Sequence, residues 1–543
     1  VPADEPLASV SYASKGNTLV VGGDERAVGA AVRLAASLPV TLLLTSRPSA
    51  QAAALARADL DGSAFPIWGG KVASLKGYLG NFSATLADLA TVREAPGHGL
   101  PAAAAAVFDL VVDFSDPPLF GHHQPPQGYW RVADAASLEL ALAEAPDSVG
   151  EFDKPRFFSY RENLCAHSRS GILGCNNCIE VCSTEAISAD GDKVTVDPHL
   201  CMGCGACASV CPSGAMSFQF PRVSRRGAQM KAMLAAYRDA GGRDACIVFH
   251  NGTDGRDLLA RAAAAGRGLP GRVIPMESWH VAGVGVDLLL GAVALGANQV
   301  AVLSAGSEAP EYSRSLREQM ALAQSIVTAL GYEGRHFALV ETGDAAALAD
   351  AFEALAPAGV PADAAAFALS DDKRTAVEFA VEHLAKHAPA PVTEIALAAG
   401  APWGEVVVDK VKCTLCLSCA GACPESALMD GTETPMLRFL ERNCVQCGLC
   451  ERTCPEDAIT LRPRLLLAPA VREARVLNEA QPFHCVSCGK PFGTRQMVDA
   501  MLGRLAGHSM FSDPASLKRL QMCADCRVVD MMSNKNEVSV LKL

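Results

Sequence analysis

Fifteen of the 21 cysteines fall into four runs, GCNNCIEVC, CMGCGACASVCP, CTLCLSCAGACP and CVQCGLCERTCP, and Cys165 stands shortly before the first. Thiolates repeated at such short steps are soft ligands, and this is the spacing that holds [4Fe–4S] clusters in two-cluster ferredoxins. Four clusters and one-electron chemistry are therefore expected. In a two-cluster unit the fourth cysteine of each run serves the other cluster, because three thiolates on one tight loop cannot close a tetrahedral set alone. In the second pair of runs this predicts one set of Cys413, Cys416, Cys419 and Cys454, and another of Cys444, Cys447, Cys450 and Cys423. Pro424 and Pro455 follow the two crossing cysteines, where a fixed φ helps to turn the chain.

The first pair of runs is irregular. Cys201, Cys204 and Cys207 with Cys182 make a regular set. Cys175, Cys178 and Cys211 lack the expected first cysteine, because Ile172 stands there. Cys165, ten residues before Cys175, is the nearby replacement and is assigned as the fourth ligand; the alternative is a [3Fe–4S] cluster with Cys165 idle. Ser183 replaces the proline that would follow Cys182. The longer loop also carries Arg161, His167 and Arg169, whose charge and hydrogen bonds are candidates for tuning the neighbouring cluster.

Two further pairs lie in the tail, Cys485/Cys488 in HCVSCGKPFG and Cys523/Cys526 in MCADCRVVD. Two CxxC knuckles folded together make a four-sulfur tetrahedral site, which suits zinc or iron–sulfur. The CxxCG turn favours structural zinc, with a fifth iron–sulfur cluster as the alternative. Such a site would staple a segment too small to build its own core.

These ligands need a scaffold. A chain of 543 residues is too long for one hydrophobic core. The expected class is multidomain α/β, with two bacterial 2[4Fe–4S] ferredoxin-like units joined to Rossmann-like domains and a small metal-binding tail. Residues 1–150 alternate strands (GNTLVVGG, PVTLLLTS, FDLVVDFS) with helices (ERAVGAAVRLAASL, ASLELALAEA). The first ferredoxin unit spans 151–224. Residues 225–350 return to α/β through ACIVFH, GRVIPME, NQVAVLS and HFALVE. Residues 351–400 read as an Ala- and Pro-rich linker followed by a helix, 401–465 as the second ferredoxin unit and 466–543 as the tail. The two units form an internal repeat, each run being followed by a short strand such as STEAISAD or PEDAITLR.

Composition narrows the function. The formal net charge is −12, and four oxidised clusters with their thiolates add about −8 more. Nucleic acid is disfavoured, and a partner with a basic docking face is favoured. No apolar run is long enough to span a bilayer. The start VPADEPLAS has neither a basic region nor an apolar signal core. A reducing cytoplasm is therefore expected, where dense cysteine means metal rather than disulfide.

Weaker signals point away from independent catalysis. VVGGDERAVG lies between a strand and a helix but does not match GxGxxG, and Asp24 and Glu25 would oppose a phosphate at the helix start. GGKVASLKGYLGNF reads as turns between strands. Cys246 reads as a buried free thiol. His250, His280 and Glu277 fall near strand ends, where chance or an interface accounts for them. No Walker loop or nucleophile–base–acid pattern is present.

From GEFDKPRFFSYRENLCAHSRSGILGCNNCIEVCSTEAI to CMGCGACASVCP, the chain resembles the large 4Fe–4S proteins encoded beside cytoplasmic molybdenum- or tungsten-dependent formate dehydrogenases. The resemblance implies an electron-transfer subunit of a hetero-oligomeric complex, passing electrons between the dehydrogenase and a second carrier. Residues 243–342 resemble the delta-subunit domain of hydrogenase and heterodisulfide reductase. His250, ESWH and SAGSEAP stand where that family's [2Fe–2S] cysteines are expected, so the scaffold is retained without its cluster. Two other functions are weighed against the electron carrier. One is a flavin-containing oxidoreductase subunit that splits electron pairs into the iron–sulfur chain, marked by a releasable yellow cofactor. The other is a scaffold whose clusters resist reduction.

Overall fold

The computed structural model describes residues 8–45, 47–57, 65–93, 105–265, 268–306, 308–431, 434–505, 507–508, 511 and 513–533. The first seven residues, on which the leader reading rests, lie outside them.

The N-terminal sheet is built on apolar strands. Thr18–Gly22 is buried at every position, between Val40–Thr45 and Leu110–Asp113, both parallel to it. Such continuous apolar runs mark strands covered on both faces. Two different layers supply the cover. Val20, Leu42 and Val112 meet the helices Glu25–Leu34, Ala50–Arg57 and Ala135–Asp147. Leu19, Val21 and Leu43 face Phe82, Leu86 and Phe108 of the sheet's own far strands. The seven-stranded sheet therefore curls into a half-barrel, with helices packed on one face.

The glycine-rich stretch behaves differently from its reading as a set of turns. Gly69, Gly70 and Gly77 lie inside the strand Ile67–Tyr78, which pairs with Asn81–Arg93 in a long hairpin. Only Gly80 serves the turn. The glycines mark register shifts and close approaches: a Cβ on Gly77 would stand 2.0 Å from the Asn81 carbonyl oxygen. Bulges of this kind add local twist, which suits a curling sheet.

The middle domain has four parallel strands in the order Val273–Ser278, Cys246–Asn251, Gln299–Ser304, Phe337–Glu341. Helices cover both faces. Val286–Ala294 is buried at all nine positions, which explains its apolar sequence. Asp254–Ala264 and Ala345–Ala354 pack on the other side. The Ala- and Pro-rich segment after residue 354 has no regular structure. It is nonetheless packed: Ala358, Ala365 and Leu369 are buried, and Leu369 lies against Gly227 and Gly291.

The cysteine units are small and built from hairpins. Phe158–Tyr160 pairs with Met216–Phe218, and Ile187–Asp190 with Lys193–Val196. In the second unit Gly404–Val408 pairs with Ile459–Leu466, and Leu428–Asp430 with Met436–Phe439. A buried ion network fastens this second unit. Arg464 bonds Glu441 at 2.7 Å through both Nε and Nη2, while Arg475 reaches Glu441 and Glu405. No helix among the described residues is long and apolar enough to cross a membrane.

Candidate metal centres

Tight turns bring the thiols of each run together. Gly205 and Gly448 adopt left-handed φ of 77° and 80°, and Leu417 is held at 61° in the corresponding turn of a third run. A non-glycine residue there stores backbone strain. Each turn opens one of the short helices Ala206–Val210, Ser418–Ala422 and Leu449–Thr453, which carry the third cysteine of the run and lead to the fourth.

Four groups of thiols result. Cys175 and Cys178 feel the charge of Cys165 and Cys211. Cys204 and Cys207 feel Cys182 and Cys201. Cys419 faces Cys413, Cys416 and Cys454, and Cys450 faces Cys444, Cys447 and Cys423. Cys165, ten residues upstream, thus comes to the position left open by Ile172. Thiols also interact electrostatically between groups: Cys207 with Cys178, Cys175 with Cys447, and Cys450 with Cys419. Each group is thus coupled to the next across both units.

Burial is the leading cause of raised thiol pKa values here, with neighbouring cysteines adding to it. Cys175, Cys204 and Cys419 are pushed up to about 12, and Cys447 to about 11. Clustered, mostly part-buried thiols that oppose one another's ionisation need a multivalent cationic partner to become thiolates. That donor set fits an iron–sulfur cluster.

The joint between the units is close. Gly174 packs on Leu449, and a Cβ there would lie 2.9 Å from the leucine Cγ and 2.4 Å from the Ala166 carbonyl oxygen. Arg452 reaches across to the carbonyls of Leu173 and Gly174.

The first unit's outer group is wrapped by both α/β domains. Tyr12 and Lys154 donate to the His199 carbonyl, each at 2.7 Å, and Lys154 also reaches the Cys201 carbonyl at 2.9 Å. From the middle domain, buried Tyr312 hydrogen-bonds Cys204 and Ser183. Ser183 thus supplies a hydroxyl where the other runs carry proline. These contacts are long-range, and the serine was the only hint of them in the sequence. Of the loop residues, buried His167 bonds the Cys175 carbonyl at 3.0 Å and Arg161 pairs with Asp372 at 3.1 Å.

Other candidates do not gather. His250 and Glu277 are partners across two parallel strands. His280 pairs instead with Glu308 at 3.0 Å, beneath the Tyr312 ring. Cys246 is fully buried, which pushes its thiol up to about 11. Asp24 caps its helix by accepting from the Ala27 N–H at 3.2 Å, so a carboxylate occupies the helix start. A cavity of about 520 Å³ lies between the units; Glu378 on its wall pairs with Arg442 and Arg472, and Arg464 with Glu441.

In the tail, the Sγ atoms of Cys485, Cys488, Cys523 and Cys526 lie within 4.8 Å of one another, with Cys488 and Cys523 at 3.7 Å. Metal–sulfur bonds of about 2.3 Å in a tetrahedron place sulfurs about 3.8 Å apart, so this group can hold a metal ion. Burial acts to raise the Cys485 thiol, but N–H groups of Cys523, Cys488 and Ser487 bring it down to about 6. The tail rests on the last of the four groups. Thr494 donates to the Thr414 carbonyl at 2.8 Å, and Arg504 pairs with Glu456.

Residues 173–215 and 412–459 each match a family described as a 4Fe-4S dicluster domain. The two cysteine units are 4Fe–4S dicluster ferredoxin domains. Curated relatives agree over short stretches. The ferredoxin-type protein NapH of Haemophilus influenzae is 31% identical over 62 residues, covering 11% of this chain and 22% of its own length. Pyruvate synthase subunit PorD of Thermotoga maritima is 37% identical over 57 residues, covering 10% and 57%. The chain thus spans less than two thirds of either relative. An iron–sulfur electron-transfer role follows for the dicluster domains.

Proposed function

We propose that the chain is an electron-transfer subunit carrying four [4Fe–4S] clusters in a line. The carrying observation is the succession of electrostatic couplings between groups, Cys207 to Cys178, Cys175 to Cys447 and Cys450 to Cys419. The ligand sets are Cys182/Cys201/Cys204/Cys207, Cys165/Cys175/Cys178/Cys211, Cys423/Cys444/Cys447/Cys450 and Cys413/Cys416/Cys419/Cys454. Each cluster, when bound, supplies one reversible electron, with a potential set by burial and hydrogen bonds to sulfur. The chain's own residues hold the sets in register, exclude water and insulate the path.

The two ends differ. Tyr12, Lys154 and Tyr312 close the first end. Cys416 at the last end is exposed beside the tail, and electrons exchange there with a partner. The resemblance to proteins encoded with formate dehydrogenases supports such an enzyme as one partner and a reducing cytoplasm as the setting. The tail holds one structural zinc ion, supported by its 3.7 Å sulfur spacing. Reductive titration of anaerobically purified protein tests the reading. It predicts uptake of about four electrons per chain; clusters that stay oxidised with a low-potential donor would refute it.

A further inference from the structure

The helix Lys373–Lys386 starts between the two dicluster domains, and its first two residues are cations. Lys373 Nζ donates to the carbonyls of Ala208 and Cys211, both at 3.1 Å, and to that of Ser209. These carbonyls end the short helix that leads to Cys211. Arg374 spans the joint. It reaches Pro212 of the first domain at 3.4 Å, and Arg442 and Cys444 of the second at 2.7 and 3.1 Å, with a further bond to Pro402 at 3.0 Å. Its guanidinium also lies 5.7 Å from the Trp403 ring centre.

Carbonyl oxygens satisfy these donors without cancelling their charge. The nearby carboxylates are largely committed elsewhere. Asp372 pairs with Arg161 at 3.1 Å, and Glu378 with Arg442 and Arg472. Asp287 is shared between Lys373 and Arg226, and Glu425 between Arg374 and Arg161. The ends of the line are different. Lys154 sits against the Cys201 carbonyl but also faces Asp197. The Cys413 carbonyl receives the neutral Asn478 amide at 3.4 Å, and Arg504 is paired with Glu456. Two cations therefore bond ligand carbonyls at the middle, Lys373 on Cys211 and Arg374 on Cys444, against one, Lys154, at the first end.

We propose that Lys373 and Arg374 form a cationic bridge that makes the two middle sites, those of Cys211 and Cys444, the preferred resting place of electrons in this chain. The inference rests on the four-cluster reading. Each added electron increases negative charge at its site, so a fixed cation in a poorly polarisable setting favours the reduced form. Two adjacent favoured sites store two electrons, one each. Such a store suits exchange between a two-electron donor and one-electron acceptors.

Potentiometric EPR titration of the full chain tests this. In the wild type, two clusters are reduced ahead of the other two, and their first reduced state carries the spin–spin broadening of neighbouring clusters. Lys373→Gln and Arg374→Gln each lower the reduced-to-oxidised ratio of that leading pair about tenfold at fixed potential, a shift of about 59 mV for one electron. The outer pair stays in place, and Lys373→Arg retains most of the effect. An unchanged leading pair in both glutamine variants, with iron content intact, overturns the proposal. Should those variants lose iron, the wild-type profile decides: four clusters reduced together, or a leading pair without mutual broadening, equally overturns it. Failure of the four-cluster reading has a separate signature, a wild-type iron content far from about sixteen per chain.

Discussion

Tyr312→Phe isolates one hydrogen bond to a candidate cluster ligand. Tyr312 lies at the start of the helix Pro310–Ala329, is buried, and hydrogen-bonds Cys204 while meeting the Ser183 hydroxyl. Phenylalanine keeps the ring against His280 and removes the hydroxyl alone. A hydrogen bond to a charged acceptor contributes about 1.5–3 kcal/mol. It tightens when the cluster gains an electron, so a redox-dependent share of about 1 kcal/mol is expected. By the one-electron conversion this lowers one cluster's potential by about 40 mV. Losing the bond also leaves Ser183 without this partner, which costs about 1 kcal/mol of stability. EPR-monitored titration reads the first quantity and thermal unfolding the second. A potential unmoved within about 10 mV, with iron intact, would refute the argument that the middle domain tunes this site.

Four other outcomes follow from the same contacts. Cys165→Ser removes or converts only the cluster of Cys175, Cys178 and Cys211; iron count and EPR at wild-type values would mean that Cys165 is not a ligand. Gly174→Ala places a methyl 2.4 Å from the Ala166 carbonyl oxygen. It forces the joint apart and slows reduction of the distal domain in stopped-flow experiments without changing cluster number. Arg464→Met leaves buried Glu441 with only Arg475 and destabilises the second domain by about 3–5 kcal/mol, read by denaturant unfolding. Cys488→Ser releases the tail metal and exposes the tail to protease while the iron content holds.

Much of this arrangement was legible in the cysteines. Their spacing carried the expectation of a crossing pattern, and the structure has Cys165 interacting with Cys175 and Cys178. Apolar runs such as VTLLLT and CIVFHN located the strands, because fully covered strands need apolar residues on both faces. The curl of the N-terminal sheet was hidden, since GGKVASLKGY carries the same glycines a turn would carry. They are needed because Asn81 and Ala87 backbone atoms approach Gly77 and Gly70. The roles of Tyr312, Lys373 and Arg374 were also out of reach. Tyr312 and Lys373 reach cysteines more than a hundred residues away, and Arg374 one 70 residues away, through contacts that leave no periodicity or motif.

Metal and cofactor content of anaerobically purified protein tests the central claim most directly. The account predicts about sixteen irons with matching sulfide, one zinc and no stoichiometric flavin per chain. About eight irons would contradict the four-cluster line. Stoichiometric flavin would contradict a purely iron–sulfur carrier and make the chain a site where electron pairs are split.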